Sequence, residues 1–244
     1  MIIKKVKTRV FLPPKDDLFS LIKESLTNLK ENSVIVFTSK IVSIWEGRCI
    51  RKSLVKNREE LIKKEAKFYI KENNSFLTIK HNSILPSAGI DESNGDEYYI
   101  LLPKHPFLSA KKIYYFIKTT YKLKKFGIII SDSHTIPLRK GTIGISLAYW
   151  GIKPLRDYRG KKDIFGRKLK VTQLNIVDSL AAIANLAMGE GKERTPIVII
   201  ENLKEVEFEE KAGKINYLKI NRERDIYKPL LSVFKNGKSK HKEK

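Results

Sequence analysis

Apolar and polar positions along the chain alternate between two periods. In DLFSLIKESLTNLK (17–30), Leu18, Leu21, Ile22, Leu26 and Leu29 recur at helical spacing behind Asp16 and Asp17, so a helix is predicted there. SVIVFT (33–38) is a short, wholly apolar run that reads as a buried strand. NREELIKKEAKFYIKEN (57–73) reads as a second, charged amphipathic helix. YYILLP (98–103) follows as a strand, LSAKKIYYFIKTTYKLKK (108–125) as a helix, and FGIII (126–130) as a buried strand ending at Ser131-Asp132. Residues 139–170 carry Gly, Arg and Lys without a clean period and suggest loops and short strands. TQLNIVDSLAAIANLAMG (172–189) returns to helical spacing, and PIVII (196–200) is a further strand. Strands alternating with helices predict an α/β fold of mixed α+β character, a mixed sheet flanked by helices. The expected organisation is one domain over residues 1–234, with an irregular inserted subdomain around 139–170 and a disordered basic tail at 235–244.

Composition narrows the class. The 244 residues include 41% hydrophobic ones, enough to bury a core. The single cysteine, Cys49, excludes an internal disulfide framework. The first residues, MIIKKVKTRV, lack the apolar core of a signal peptide, and no apolar run approaches the ~20 residues that span a bilayer. A cytoplasmic protein with no membrane partner is expected. Lysine and arginine number 49 against 27 acidic residues, a net charge of +22, which attracts polyanions. The basic residues are spread along the chain, without the aromatic interleaving or helix-turn-helix pattern that would favour nucleic acid.

Neither common phosphate loop is present: MGEGKERT (188–195) lacks the spacing and the hydroxyl residue of a G-x-x-x-x-G-K-[ST] loop. The four histidines have no zinc-like spacing and read as surface or packing residues. Three acidic positions stand out instead. Asp132 ends a predicted buried strand, where open α/β sheets place their ligand crevices. Glu190 lies between Gly189 and Gly191 past a long helix, and Asp91 sits in SAGIDESNG (87–95), which by composition alone is a polar turn. With the Ser133 hydroxyl they make an oxygen-rich set of the kind that suits Mg²⁺ or Mn²⁺. Singly, each is read as readily as a cap or a turn residue.

Five ordered blocks change that balance: TSKIVSIWEGR (38–48), SAGIDESN (87–94), GIIISDS (127–133), GIKPLRDYRGKKDIFGRKLKVTQ (151–173) and DSLAAIANLAMGEG (178–191). Together they resemble the coenzyme F-420-0:L-glutamate ligase family, from about residue 10 to residue 201. The resemblance implies that family's fold and a γ-glutamyl ligase that consumes GTP or ATP to attach L-glutamate to a deazaflavin acceptor. It implies two divalent ions, Mg²⁺ or Mn²⁺, and extends to K⁺ and to a homodimer. Asp91 and Asp132 would hold one divalent ion, and Ser133 and Glu190 the other. Ser39, Lys40 and Asn94 would contact the nucleotide, together with the backbone at Met188, Gly189 and Gly191. Lys40, Arg156, Arg159 and Arg167 could bind phosphates and carboxylates. The chain departs from the family pattern at Ile44, where Lys is usual, at Ser133, where Thr is usual, and along 77–90 and 133–138. Those departures keep a folate-type acceptor open, and the basic charge keeps open a non-catalytic scaffold that binds nucleic acid.

Overall fold

The computed structural model describes residues 1–213 and 217–236. In chain order the elements are β1 (Ile2–Val6), α1 (Leu18–Ser25), β2 (Ser33–Thr38), α2 (Ser39–Trp45), β3 (Cys49–Arg51), α3 (Arg58–Glu65), β4 (Phe68–Glu72), β5 (Ser75–Lys80), β6 (Ser83–Pro86) and β7 (Tyr98–Ile100). They continue as α4 (Pro106–Tyr121), β8 (Phe126–Thr135), β9 (Thr142–Trp150), β10 (Leu155–Asp157), β11 (Gln173–Asn175), α5 (Ile176–Met188), β12 (Ile197–Glu201), α6 (Lys228–Leu231) and β13 (Lys235–Asn236).

Five strands form the main sheet in the order β1-β12-β2-β8-β9, mixed because only β2 and β8 run parallel. Residues 34–37 of β2 and 126–130 of β8 are apolar because both of their faces are covered there. Ile35, Phe37, Ile128 and Ile130 pack with α1, α2 and α4 on one side. Val34, Val36 and Ile129 alternate with them and pack against α5 on the other. The helices carry their own boundary signals. Asp17 caps α1 by accepting the Phe19 N–H at 3.0 Å, and Asn175 caps α5 by accepting the Asp178 N–H at 3.1 Å. Pro106 opens α4.

A smaller lobe lies between α2 and α4. There β13, β4, β5 and β6 form a second sheet, and β3 pairs with β7. Ile62, Ala66, Phe76, Ala88, Ile90 and Leu101 form its core. The subdomain is therefore here and not around 139–170. Residues 142–150 are β9 of the main sheet, with Ile143, Ile145, Leu147 and Tyr149 at alternate positions. Gly144 breaks that run in sequence for a packing reason: a Cβ there would lie 2.4 Å from the Ala181 carbonyl oxygen of α5. What remains of the irregular stretch is a narrow β10–β11 ribbon.

The helix predicted over 57–73 ends at Glu65, and Phe68–Glu72 continues as β4, turning at Asn73 into β5. Phe-Tyr-Ile satisfies either period, and pairing with β5 decides it. The FGIII strand runs on to Thr135, so Asp132 lies inside β8 but at the carboxyl end of its parallel pairing with β2. Of the expected disordered tail, Lys235 and Asn236 pair with β4, and residues 237–244 lie outside the described residues. No helix among the described residues is long and apolar enough to cross a membrane.

Candidate functional site

A cavity of about 500 Å³ opens at the carboxyl ends of β2 and β8. This is where open α/β sheets place ligands, because the chain leaves the two parallel strands there and exposes their ends. Lys40, Asp91, Asn94, Asp132, Ser133, Met188, Gly189, Glu190 and Gly191 all line it. Ser39 touches it through Asp132, donating its hydroxyl to Asp132 Oδ1 at 2.8 Å. The metal- and nucleotide-contact residues expected from sequence are thus brought to one place, from four separated segments, with Ser39 joined to it through Asp132.

The two aspartates arrive differently. Asp132 is fixed on a central strand, with Ser39 the buried first residue of α2 beside it. Burial pushes its carboxyl up to about 7, against the pull of the Ser39 hydrogen bond. The negative charge of Asp91 adds to the rise. Asp91 comes from the small lobe, at the end of a left-handed turn: Ser87, Ala88 and Gly89 have φ of 49°, 57° and 67°. Three such residues in a row are costly, and only Gly89 is suited to them. The turn is held by the Thr78 hydroxyl, which accepts the Ala88 N–H at 2.9 Å and donates to the Leu85 carbonyl. A Cβ at Gly89 would lie 2.6 Å from the Leu102 side chain, so the close approach of the two segments also requires glycine.

Desolvation raises the Asp91 carboxyl, but the Lys40 ammonium at 2.6 Å and the Ser93 N–H at 2.7 Å outweigh it and hold it below the usual carboxylate value. Lys40 also donates to the Ser93 carbonyl at 2.8 Å and hydroxyl at 2.9 Å, so it clamps the Asp91–Ser93 turn. The opposite rim is the loop after α5. Asn94 donates to the Gly191 carbonyl at 3.1 Å and joins the two rims. Glu190 accepts from Asn185 at 2.7 Å, and Thr195 donates to the Met188 carbonyl at 2.6 Å.

The cations of the cavity differ from those expected. Arg156, Arg159 and Arg167 belong to the β10–β11 ribbon and its loop, and none lines the cavity. Arg9, Lys192 and Arg194 do. Arg9 had no motif to mark it, Lys192 and Arg194 follow directly on the loop of Gly189 and Gly191, and Asn185 lay inside a recognised block and could have been picked out as the partner of Glu190. Ile44 forms part of the wall but is also core, 2% exposed. Among the described residues no three His, Cys, Asp or Glu side chains gather into a ready-made metal cage.

A sheet covered on both faces, with an acidic, hydroxyl-bearing cleft at the ends of its parallel strands, has the architecture of an α/β enzyme. Residues 6–202 match the family model described as F420-0:Gamma-glutamyl ligase. The chain is 39% identical over 192 residues to the coenzyme F420:L-glutamate ligase of Methanocaldococcus jannaschii, covering 70% of this chain and 76% of that one. It is 36% identical over 204 residues to the enzyme of the same name from Methanococcus maripaludis, covering 76% and 82%. With the Methanopyrus kandleri enzyme it shares 32% over 235 residues, covering 88% and 92%. The chain belongs to the F420-0:Gamma-glutamyl ligase family, and its enzyme class is ligase.

Proposed function

We propose that the chain joins L-glutamate to a carboxylate of a coenzyme F420-type acceptor, using a nucleoside triphosphate and divalent metal. The observation that carries this reading is the gathering of Lys40, Asp91, Asp132, Ser133 and Glu190 around one cavity. The family relationship supplies the acceptor: the relatives are named for coenzyme F420 and glutamate.

Amide formation from a carboxylate and an amine is uphill in water, so the carboxylate needs activation. In the proposed sequence an acceptor carboxylate oxygen attacks the terminal phosphorus of the triphosphate. The bond to the nucleoside diphosphate breaks and an acyl phosphate forms. The neutral α-amino nitrogen of glutamate then attacks the acyl carbon, phosphate leaves with the bonding pair, and the nitrogen's proton passes to that phosphate. Two anions must meet in the first step, and Mg²⁺ or Mn²⁺, when bound, offsets their repulsion.

The donor set fits such ions. Asp91, Asp132, Ser133 and Glu190 offer hard oxygens, and Mg²⁺ is usually held by one or two carboxylates completed by water and substrate phosphates rather than by an all-protein cage. Asp132, carrying a carboxyl that burial keeps partly protonated, gains most from a cation beside it. Lys40 would exchange Asp91 for a phosphate oxygen, and the backbone of Gly189–Gly191 would lie along the phosphates. Ser39 keeps Asp132 oriented through its hydrogen bond. A homodimer is part of this reading, and light scattering on the purified protein tests it.

The test of the reaction is direct. Protein, L-glutamate, GTP or ATP, Mg²⁺ or Mn²⁺ and an acceptor are combined, and mass spectrometry looks for the added glutamyl unit alongside phosphate release. Addition to coenzyme F420-type acceptors supports the proposal. Addition to a folate alone would replace the acceptor, and no addition to either would overturn the reading.

A further inference from the structure

We propose that a second cavity, separate from the acidic corner, receives the flat ring system of the acceptor, and that the turn His81–Ser83 sets its specificity. This rests on the ligase reading above. The cavity has a volume of about 570 Å³, in the range of cofactor pockets, and lies against β9, the β5–β6 turn and the first turn of α5. Its broad walls are Leu147, Tyr149 and Tyr217, and Phe107 meets the Tyr149 ring edge-on with centroids 5.3 Å apart. Aromatic and aliphatic faces of this kind take a planar ring. The Asn82 amide, the Ser83 hydroxyl and the Gln173 amide stand at its edge. Among the described residues neither the Asn82 nor the Ser83 side chain is engaged in a hydrogen bond. Such groups match the carbonyl and N–H edges of a heterocycle.

The turn places two side chains against the cavity. β5 and β6 are joined by two residues, His81 and Asn82, with φ of 50° and 61°. A two-residue hairpin with both residues left-handed is ordinarily built from Asn-Gly. Here two full side chains occupy those positions, and both line the cavity. His81 is fixed by donating Nε2–H to the Pro103 carbonyl at 2.9 Å. His and Asn tolerate the left-handed region better than most residues, so this turn can present two side chains to the cavity where Asn-Gly would present one.

The two cavities share β8 and α5. Asp132 and Ser133 face the acidic corner, and the next residue, His134, faces the second cavity. Along α5, Asp178 lines the second cavity and Asn185 the first, seven residues or about 10 Å apart at the rise of an α-helix. On β8, His134 of the second cavity and Asp132 of the first are two residues apart, so a ligand with its ring in the second cavity would extend its tail toward Asp132. On the ligase reading, this cavity would take the ring of the acceptor and the acidic corner its carboxylate. A compact carboxylic acid would leave the second cavity unused.

Titration calorimetry tests this with Asn82→Gly, which removes the amide at a position where glycine adopts the backbone without strain, and Ser83→Trp, which fills the cavity. Coenzyme F420 is the probe, titrated in Mg²⁺ with a non-hydrolysable GTP analogue present, and the analogue is also titrated alone. Coenzyme F420 affinity should fall about tenfold in Asn82→Gly and further in Ser83→Trp, as expected for a lost hydrogen bond and a blocked pocket. Affinity for the analogue should stay within about twofold, since the two sites are separate. Unchanged coenzyme F420 affinity in both variants overturns the assignment. Wild-type protein that binds the analogue but no coenzyme F420 overturns it while leaving the nucleotide site standing. Wild-type protein that binds neither overturns the ligase reading and this inference together.

Discussion

Asp132 and Asp91 face one cavity from two halves of the molecule, and their surroundings oppose each other. Asp132 lies on β8 of the main sheet, just past its parallel pairing with β2, where burial raises its carboxyl to about 7. Asp91 belongs to the small lobe, on a left-handed turn, with a lysine holding its charge. Among the described residues the first carboxylate makes no ion pair, and the second already has one. A site of this kind is made ready for an incoming cation on one side and for exchange of an existing ion pair on the other.

The largest effect should follow from removing the fixed charge. Asp132→Asn should lower turnover at least about 100-fold, because metal and phosphate lose an anionic partner. The same change should stabilise the metal-free protein. A carboxyl whose folded value lies above its unfolded value of 3.8 binds its proton more tightly when folded, so wild-type stability falls as pH rises from about 4 to about 7. Since the side chain also reaches the cavity, the loss is roughly 1–3 kcal/mol at neutral pH, and the Asp132→Asn variant should not show it. Denaturant melts at pH 5 and pH 8 measure this, and equal slopes with pH in the two proteins would contradict the account.

Next in size is the turn that delivers Asp91. Gly89→Val should cost roughly 3 kcal/mol or more, since it combines a disfavoured φ with overlap on Leu102. Gly144→Val should be comparably damaging through α5, but without touching the small lobe. Chemical denaturation compares the two. Ile44→Lys places an ammonium in the core wall and should cost roughly 2–4 kcal/mol. Thermal melts check that cost, and calorimetry asks whether nucleotide binding improves despite it.

The smallest change is Lys40→Met. It frees Asp91 from its ion pair, raises that carboxyl toward the ordinary value and should weaken nucleotide binding about tenfold with little effect on stability, because the pair is partly exposed. A nucleotide titration showing no change would remove Lys40 from the phosphate contacts.

The contrast between the two halves also marks what could be read from sequence. Apolar runs buried on both faces identify themselves, so β2, the start of β8 and β12 were legible, as were the cores of α1, α4 and α5. Asp132 could be placed because it follows such a run. The small lobe was not legible: its strands are short, half-buried and mixed in composition, and Phe68–Glu72 fits a helix until β5 pairs with it. β9 was obscured by Gly144, whose reason lies in the distant Ala181. Asp91 was recognised through the resemblance of its block, while the left-handed turn that aims it depends on Thr78 and Leu102. Arg9 reaches the cavity by tertiary approach alone, while Lys192 and Arg194 lie in the same loop as Gly189 and Gly191. The basic run on the β10–β11 ribbon looked like a phosphate site in sequence and lies elsewhere.

The most direct test of the central claim is calorimetric titration of GTP with Mn²⁺ into the wild type, Asp91→Asn and Asp132→Asn. The account predicts metal-dependent binding to the wild type, reduced in Asp91→Asn and lost in Asp132→Asn while both variants remain folded. Undiminished metal-dependent binding in Asp132→Asn would contradict it.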